Sequence, residues 1–128
     1  MTNHVLDGAW MVEGYQASAG SVFRWFRDEI AALESAFARE MKRDVYTILD
    51  ARIAKVPPGA KGLVMLPHFG TATTPRWDPN ARGVICGLAF SHDRDCLARA
   101  FMESITLSVQ DMLVAMRGGG IDVKQVRI

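Results

Sequence analysis

Residues 93–117, DRDCLARAFMESITLSVQDMLVAMR, carry the clearest pattern in the chain. Their apolar side chains recur every three or four positions, which predicts an amphipathic helix of about six turns. The predicted stripe consists of Leu97, Phe101, Ile105, Val109, Met112, Leu113 and Met116. Ser91 is the expected N-cap, and Asp93 and Asp95 lie where the helix dipole favours acidic side chains. A helix with one apolar face of this length needs a sheet to cover.

Two more helices are predicted on the N-terminal side. The period over residues 18–37 predicts a helix capped by Ser18 or Ser21, with an apolar face formed by Val22, Phe23, Phe26, Ile30, Leu33 and Phe37. Residues 44–56 predict a shorter helix capped by Asp44 and ended by Pro57.

Apolar runs at residues 9–15, 62–67 and 83–88 are compatible with strands. Residues 121–128 alternate apolar and polar side chains, which predicts a strand that is still in progress at Ile128. We therefore expect the fold to be an incomplete part of a larger one.

The composition indicates one ordinary globular domain over residues 1–128. The chain has 128 residues, of which 49% are hydrophobic and 23% charged. Its net charge of +1 removes the usual electrostatic argument for a nucleic-acid partner or an anionic membrane. No apolar run approaches the roughly 18 residues that span a bilayer, and residues 1–4 do not open a secretory signal. We expect a cytoplasmic protein.

The cysteines and histidines predict no metal site. Cys86 and Cys96 are ten positions apart, which fits no metal-ligand spacing, and we expect both to be reduced thiols packed in the core. His4, His68 and His92 are scattered and form no zinc motif.

Three motifs that suggest chemistry have simpler structural interpretations. Gly118–Gly120 follow a helix instead of preceding one, which favours a C-cap over a phosphate loop. His92–Asp95 are adjacent on a helix start, so their side chains diverge and a capping segment is favoured over a catalytic cluster. Residues 71–83 are rich in turn formers, and Arg82 is placed to pair with Asp78, which favours a structural loop over a site.

Gly20 and Arg24 are the candidate ligand-binding residues. They lie one turn apart on the same face of the first predicted helix. Glycine permits the close approach of a flat ring or a phosphate, and arginine can stack on a base or hold an anion. This spacing alone is a weak signal, and the alternative is an ordinary solvent-exposed helix start.

Five ordered blocks together are more specific. The run WDPNARG at residues 77–83 is followed by Gly87-Leu88, Ser91-His92, Leu97–Ala100 and Glu103. Upstream lie VPPGAKGL at residues 56–63 with Leu66-Pro67, and Gly20-Ser21 with Trp25, Arg27 and Asp28. In this order the blocks resemble the C-terminal domain of the FGGY carbohydrate kinases over residues 8–128.

The chain also departs from that family pattern. Cys96, Phe101 and Ser104 replace residues of other kinds in the family's second signature, and residues 71–75 differ from the xylulokinase pattern. The resemblance therefore specifies the family and leaves the sugar open.

The resemblance implies an α/β fold, an incomplete actin-like (ribonuclease H-like) ATPase domain with a central sheet flanked by helices. It implies an ATP-dependent kinase of a ketose or polyol that uses Mg-ATP. The family's catalytic aspartate is expected upstream of Met1, in a missing N-terminal kinase domain. Its phosphate loop is expected to end just before Met1, and its adenosine loop to begin just after Ile128. No catalytic or metal residue is therefore expected here, the chain alone is expected to be inactive, and Gly20 and Arg24 are the expected nucleotide contacts.

Two hypotheses of other classes remain open. An unfinished sheet exposes backbone edges and apolar helix faces, which predicts a non-catalytic interaction module that self-associates into a homo-oligomer. An unrelated small binding domain requires the five blocks to match by chance.

Overall fold

The structure is a computed structural model that describes residues 2–126. The chain is a mixture of helices and short strands, which agrees with the α/β prediction at that level. In chain order they are β1 (Thr2–Asn3), β2 (Trp10–Met11), α1 (Gly20–Trp25), a π-helical turn (Phe26–Ile30), α2 (Ala32–Glu40), α3 (Val45–Ile53), a 3₁₀ turn (Ala60–Gly62), β3 (Val64–Leu66), β4 (Val84–Cys86) and α4 (Arg94–Gly118).

The strands form two separate antiparallel pairs within residues 2–126. β1 pairs with β2, and β3 pairs with β4 so that Val64 lies opposite Cys86 and Leu66 opposite Val84. The predicted strands at 62–67 and 83–88 are confirmed in position, whereas the predicted strand at 9–15 is reduced to two residues. The pairs do not join into the expected central sheet.

The predicted strand at residues 121–128 is not formed over 121–126, which are irregular. No strand in the described part of the chain pairs with this segment. Residues 127 and 128 lie outside the described range.

The core is built around the N-terminal half of α4. Phe101 has no exposed surface, and its ring lies 5.0 Å from that of Phe26 and 6.1 Å from that of Trp25, between ring centres. Small buried side chains on α4, Ala98, Ala100 and Ser104, let the neighbouring elements approach closely. The predicted stripe is wrong at Val109, which is exposed, although Met112 further along α4 is buried.

The first predicted helix is interrupted. Its apolar face is confirmed as far as Ile30, but Leu33 is 64% and Phe37 53% exposed, while Glu34 and Ala38 are buried. At the π turn the amide of Ala31 donates to the carbonyl of Phe26, five residues back, and Ala31 leaves the helical conformation. One inserted residue rotates the following turns by about 100°, which moves the buried face from positions 33 and 37 to 34 and 38.

The helix ends test the predicted caps. Asp44 caps α3 by accepting the amide of Thr47 at 3.0 Å, as predicted. The N-cap of α1 is Ala19, with no side-chain hydrogen bond, so the prediction of Ser18 or Ser21 is wrong. Ser91 is also not the cap of α4, since Asp93 holds that position and accepts the amide of Cys96 at 2.9 Å.

The Gly118–Gly120 segment ends α4 as a C-cap, as predicted. The amide of Ile121 donates to the carbonyl of Met116, and that of Gly120 donates to the carbonyl of Arg117, both at 3.0 Å. These two bonds form a Schellman motif, which satisfies carbonyls that the helix leaves free.

The Asp93 cap makes the stability of the chain depend on pH. The bonds from Cys96 hold the pKa of this carboxyl below its usual value, so the folded state binds its proton less tightly than the unfolded chain does. The stabilisation is therefore present above the unfolded pKa of about 3.9 and is lost as the pH falls through the folded value.

Asp93→Ala is expected to lower the free energy of unfolding by about 1 kcal/mol at pH 7. The difference in unfolding free energy between this variant and the parent chain should shrink as the pH falls below about 4, which is the unfolded pKa of an aspartate. Urea unfolding at several pH values measures the stability of the variant and of the parent chain. If their difference stays constant down to roughly one pH unit below that pKa, the ionised carboxylate is not the cap.

The two thiols differ in exposure. Cys96 is buried in the core, as predicted, but Cys86 is exposed because the outer face of the β3–β4 pair is not covered within the described residues. No helix between residues 2 and 126 is both long and apolar enough to cross a bilayer.

Candidate functional site

Gly20 and Arg24 lie together on the exposed side of α1. Gly20 is the first residue of the helix and Arg24 is in its last turn, so the two predicted site residues are one turn apart on one face. A Cβ built on Gly20 meets no heavy atom within 4 Å. Packing within the described residues therefore does not require glycine here, and the space above it is open to a ligand.

The opposite face of α1 fixes its orientation. Val22 and Phe23 are buried in the core, and the half-exposed ring of Trp25 lies 4.9 Å from that of Phe69. Because this face is anchored in the aromatic cluster, Gly20 and Arg24 are held toward solvent.

The segment in front of α1 is tied to a distant loop. The amide of Tyr15 donates to Oγ1 of Thr74 at 3.0 Å, and the amide of Thr74 donates back to the carbonyl of Tyr15 at 3.2 Å. The amide of Ala17 donates to Oγ1 of Thr73 at 3.3 Å. The start of α1 is therefore positioned by residues almost sixty places later in the chain.

The loop at residues 71–83 is held by its own backbone, as the structural interpretation predicted. Ala72 and Asp78 exchange two backbone hydrogen bonds of 3.0 Å. The predicted pair of Arg82 with Asp78 is wrong: Arg82 donates to the carbonyls of Pro79 and Ala81, while Oδ1 of Asp78 accepts the amide of Asn80. The short reach of Asp78 to a neighbouring amide explains why it does not meet the guanidinium.

Arg24 has no hydrogen bond or ion pair with the part of the chain that the structure describes. The nearest acid one turn on, Asp28, is held by a two-point bond from Arg27, with Nε–Oδ1 at 2.6 Å and Nη2–Oδ2 at 2.9 Å. That bond lowers the pKa of Asp28 below its usual value, and the charge of Arg24 adds a smaller lowering. Since Asp28 is already occupied, the Arg24 guanidinium is available to an external anion or ring.

The His92–Asp95 segment has the structural role that was predicted. Nδ1 of His92 accepts the amide of Ala89 at 2.9 Å, which leaves Nε2 to donate to the carbonyl of Lys61 at 3.2 Å. Asp93 caps α4, and Asp95 accepts Nε of Arg52 at 2.6 Å. Across residues 2–126, no three histidine, cysteine or acidic side chains come together as a metal site requires.

Sequence reasoning missed a buried acid between three helices. Glu34 of α2 is buried, and its Oε1 lies 3.2 Å from Nη1 of Arg52 on α3 and 3.5 Å from Nη2 of Arg94 on α4. Its Oε2 is buried without a hydrogen-bond partner in the described structure. The sequence pattern did not predict that Glu34 is buried, because an uninterrupted helix over residues 18–37 would place it on the polar face.

Comparison with known proteins identifies the class of fold that carries this helix and loop. A model of the C-terminal domain of the FGGY family of carbohydrate kinases matches residues 1–128. The chain belongs to the FGGY family, and the family predicted from the five sequence blocks is confirmed.

Curated relatives agree. The chain is 32% identical over 110 residues to a gluconokinase of Bacillus subtilis, a match that covers 86% of this chain and 21% of the relative. It is 32% identical over 124 residues to a glycerol kinase of Halothermothrix orenii, covering 95% of this chain and 23% of the relative. The chain thus spans about a fifth of the length of these relatives.

Solved structures of sugar kinases share the fold. The xylulose kinase of Rhodospirillum rubrum is 34% identical, with a TM-score of 0.63 over 77% of this chain and 18% of that one. The gluconate kinase of Lactobacillus acidophilus is 30% identical, with a TM-score of 0.62 over 80% of this chain and 19% of that one. The mixed α/β fold is therefore that of the FGGY sugar kinases, which have the actin-like ATPase fold.

Proposed function

We propose that residues 1–128 are part of the nucleotide-side domain of an ATP-dependent carbohydrate kinase. The reaction is transfer of the γ-phosphoryl group of ATP to a hydroxyl of a ketose or polyol. The observation that carries the proposal is the family match over the whole of residues 1–128. A cytoplasmic location, where ATP is available, accompanies it.

The proposed enzyme needs more polypeptide than these residues supply. The matched relatives are about five times as long as the matched region, which supports further segments that complete a central sheet and an N-terminal domain that binds the sugar. Positioning the hydroxyl in line with the γ-phosphate supplies much of the rate in such reactions, and it requires both sides of a cleft. We therefore expect the 128-residue chain alone to be inactive.

Gly20 and Arg24 are proposed as nucleotide contacts in the complete enzyme. The open surface above Gly20 admits a flat ring against the backbone, and the unoccupied guanidinium of Arg24 stacks on that ring or contacts a phosphate. Mg²⁺ is proposed to enter with ATP as the counter-ion of its phosphates, and no residue from 2 to 126 is assigned as its ligand.

A chimeric enzyme tests the function. Residues 1–128 replace the matching segment of the Bacillus subtilis gluconokinase, and release of ADP is measured with gluconate, glycerol and xylulose. We expect ATP-dependent turnover by the chimera with at least one of these acceptors and none by the 128-residue chain. A folded chimera with no turnover, or turnover by the chain alone, would contradict the proposal.

Gly20→Ala and Arg24→Ala test the site in that chimera. Each is expected to raise KM for ATP by about tenfold, equivalent to about 1.4 kcal/mol, with little change in KM for the sugar. Gly20→Ala has no clash within the described fold, so its thermal stability should match that of the parent. Arg43→Ala, another exposed arginine, serves as the control. Unchanged KM for ATP in both site variants would remove Gly20 and Arg24 from the site while leaving the kinase function standing.

The second candidate is a non-catalytic module that self-associates. The observation that favours it is the exposed apolar surface of β4 and the residues after it. Oligomerisation by the 128-residue chain, together with an inactive chimera, would favour this function over the kinase.

A further inference from the structure

A small polar cavity lies between the segment in front of α1, the loop at residues 67–74 and α4. The space in it that a water-sized sphere can enter is about 20 Å³. Seven of its ten lining residues carry a polar side chain, among them Gln16, Ser18 and Ser108. Cavities that stay dry are apolar, whereas polar ones hold ordered water that bonds to buried polar groups. One water needs about 10–15 Å³ on the same measure, so this space fits a single molecule and no segment of polypeptide.

Gln16 supplies a hydrogen-bond donor that needs a partner. Its Nε2 is buried and has no hydrogen-bond partner within residues 2–126. A buried donor that is left unpaired destabilises a fold, so such groups are nearly always paired with protein or with ordered water. The hydroxyl of Ser18 also makes no hydrogen bond with the described residues. Two residues that line one cavity therefore each have an unused polar group.

Other hydroxyl protons around the cavity are already used. Oγ of Ser108 donates to the carbonyl of Ser104 at 2.8 Å, and Oγ1 of Thr73 donates to the carbonyl of Tyr15 at 2.5 Å. Each of these oxygens keeps a lone pair that can accept a bond but has no proton left to donate. The occupant must therefore accept a bond from Gln16 and donate one to a hydroxyl oxygen. Water does both, whereas a metal cation cannot accept and a halide cannot donate.

We propose that one water molecule occupies this cavity, accepts a hydrogen bond from Nε2 of Gln16, and donates to Oγ of Ser18 and Oγ of Ser108. Three hydrogen bonds are the typical number for a buried water. The water links the segment in front of α1 to α4, and it adds to the bonds from Thr73 and Thr74 that position the start of α1. Further polypeptide cannot fill so small a space, and the inference does not depend on the kinase function.

A high-resolution crystal structure of the gluconokinase chimera locates the water. One density peak is expected at a hydrogen-bond distance of about 2.7–3.2 Å from Nε2 of Gln16 and from Oγ of Ser108. Gln16→Met keeps the length of the side chain but removes the donor, and Ser108→Ala removes an acceptor with a residue that favours the helix. Both variants are expected to lower the occupancy of the peak, because the water keeps only two of its three bonds. Gln110→Met, the same change at an exposed position of α4, is the matched control and should keep the peak.

Nuclear magnetic resonance of the 128-residue chain gives an independent test. The side-chain amide of Gln16 should show the nuclear Overhauser effect of a long-lived water, which the rotating-frame experiment distinguishes from proton exchange. The side-chain amide of Gln110 is exposed and should show only short-lived hydration. A cavity without a density peak, a Gln16 amide bonded directly to a protein oxygen, a peak that Gln16→Met and Ser108→Ala leave unchanged, or equal effects at the two amides would each overturn the proposal.

Discussion

Phe101→Ala is expected to lower the free energy of unfolding by about 3–5 kcal/mol, the range for truncating a fully buried aromatic ring. Phe101 has no exposed surface and touches rings from three directions. Its ring centre lies 5.0 Å from that of Phe26, 6.0 Å from that of Phe69 and 6.1 Å from that of Trp25. Removing it leaves a cavity that α1 and α4 cannot close without moving.

Urea unfolding followed by tryptophan fluorescence measures this loss, since Trp25 is in contact with the deleted ring. Phe90→Ala removes the same side chain at a fully exposed position and is expected to change stability by less than about 0.5 kcal/mol. Similar losses for the two variants would contradict the position of Phe101 at the centre of the core. A loss of this size is also a large part of the stability of a domain of this length.

Gly87→Ala is expected to cost about 2–4 kcal/mol, for two reasons that act together. Gly87 has a φ of +85°, a conformation that strains residues with a Cβ. In addition, a Cβ at this position lies only 2.7 Å from the carbonyl oxygen of Gly62. Because that neighbour is backbone, relief requires the β3–β4 pair to shift.

Gly59→Ala separates the two contributions. Gly59 has a φ of +83°, but a Cβ there meets no atom within 4 Å, so only the conformational strain applies and a loss of about 1 kcal/mol is expected. The amide that donates to Glu103 is retained in this variant. Thermal unfolding of the two variants side by side gives the comparison, and equal losses would show that the close approach to Gly62 is relieved at little cost.

The elements that the sequence predicted well are those encoded by local patterns. The stripe around Phe101, the Asp44 cap and the Gly118–Gly120 ending of α4 each depend on residues within a turn or two of one another. The positions of β3 and β4 followed from apolar runs bounded by glycine or proline. Gly20 and Arg24 share a face because they lie on one helical turn.

The elements that were missed depend on contacts that local patterns do not encode. Ser91 and Asp93 are both good capping residues, and Asp93 is chosen because hydrogen bonds between Ala89 and His92 close a turn across Ser91. The anchoring of α1 through Thr73 and Thr74 joins residues almost sixty positions apart. Cys86 is exposed because no further element covers this face of β4 within the described residues, and no residue near Cys86 in the sequence predicts this lack of cover.

The π turn between α1 and α2 shows how a single extra residue changes what a helix offers its neighbours. Without it, the uninterrupted helix would direct Leu33 inward and turn Glu34 away from Arg52 and Arg94. Deleting one residue from this segment would therefore replace the ion pairs among three helices with an apolar contact. A redesign that removes the extra residue to raise helical propensity would break the Glu34 ion pairs that link α2 to α3 and α4.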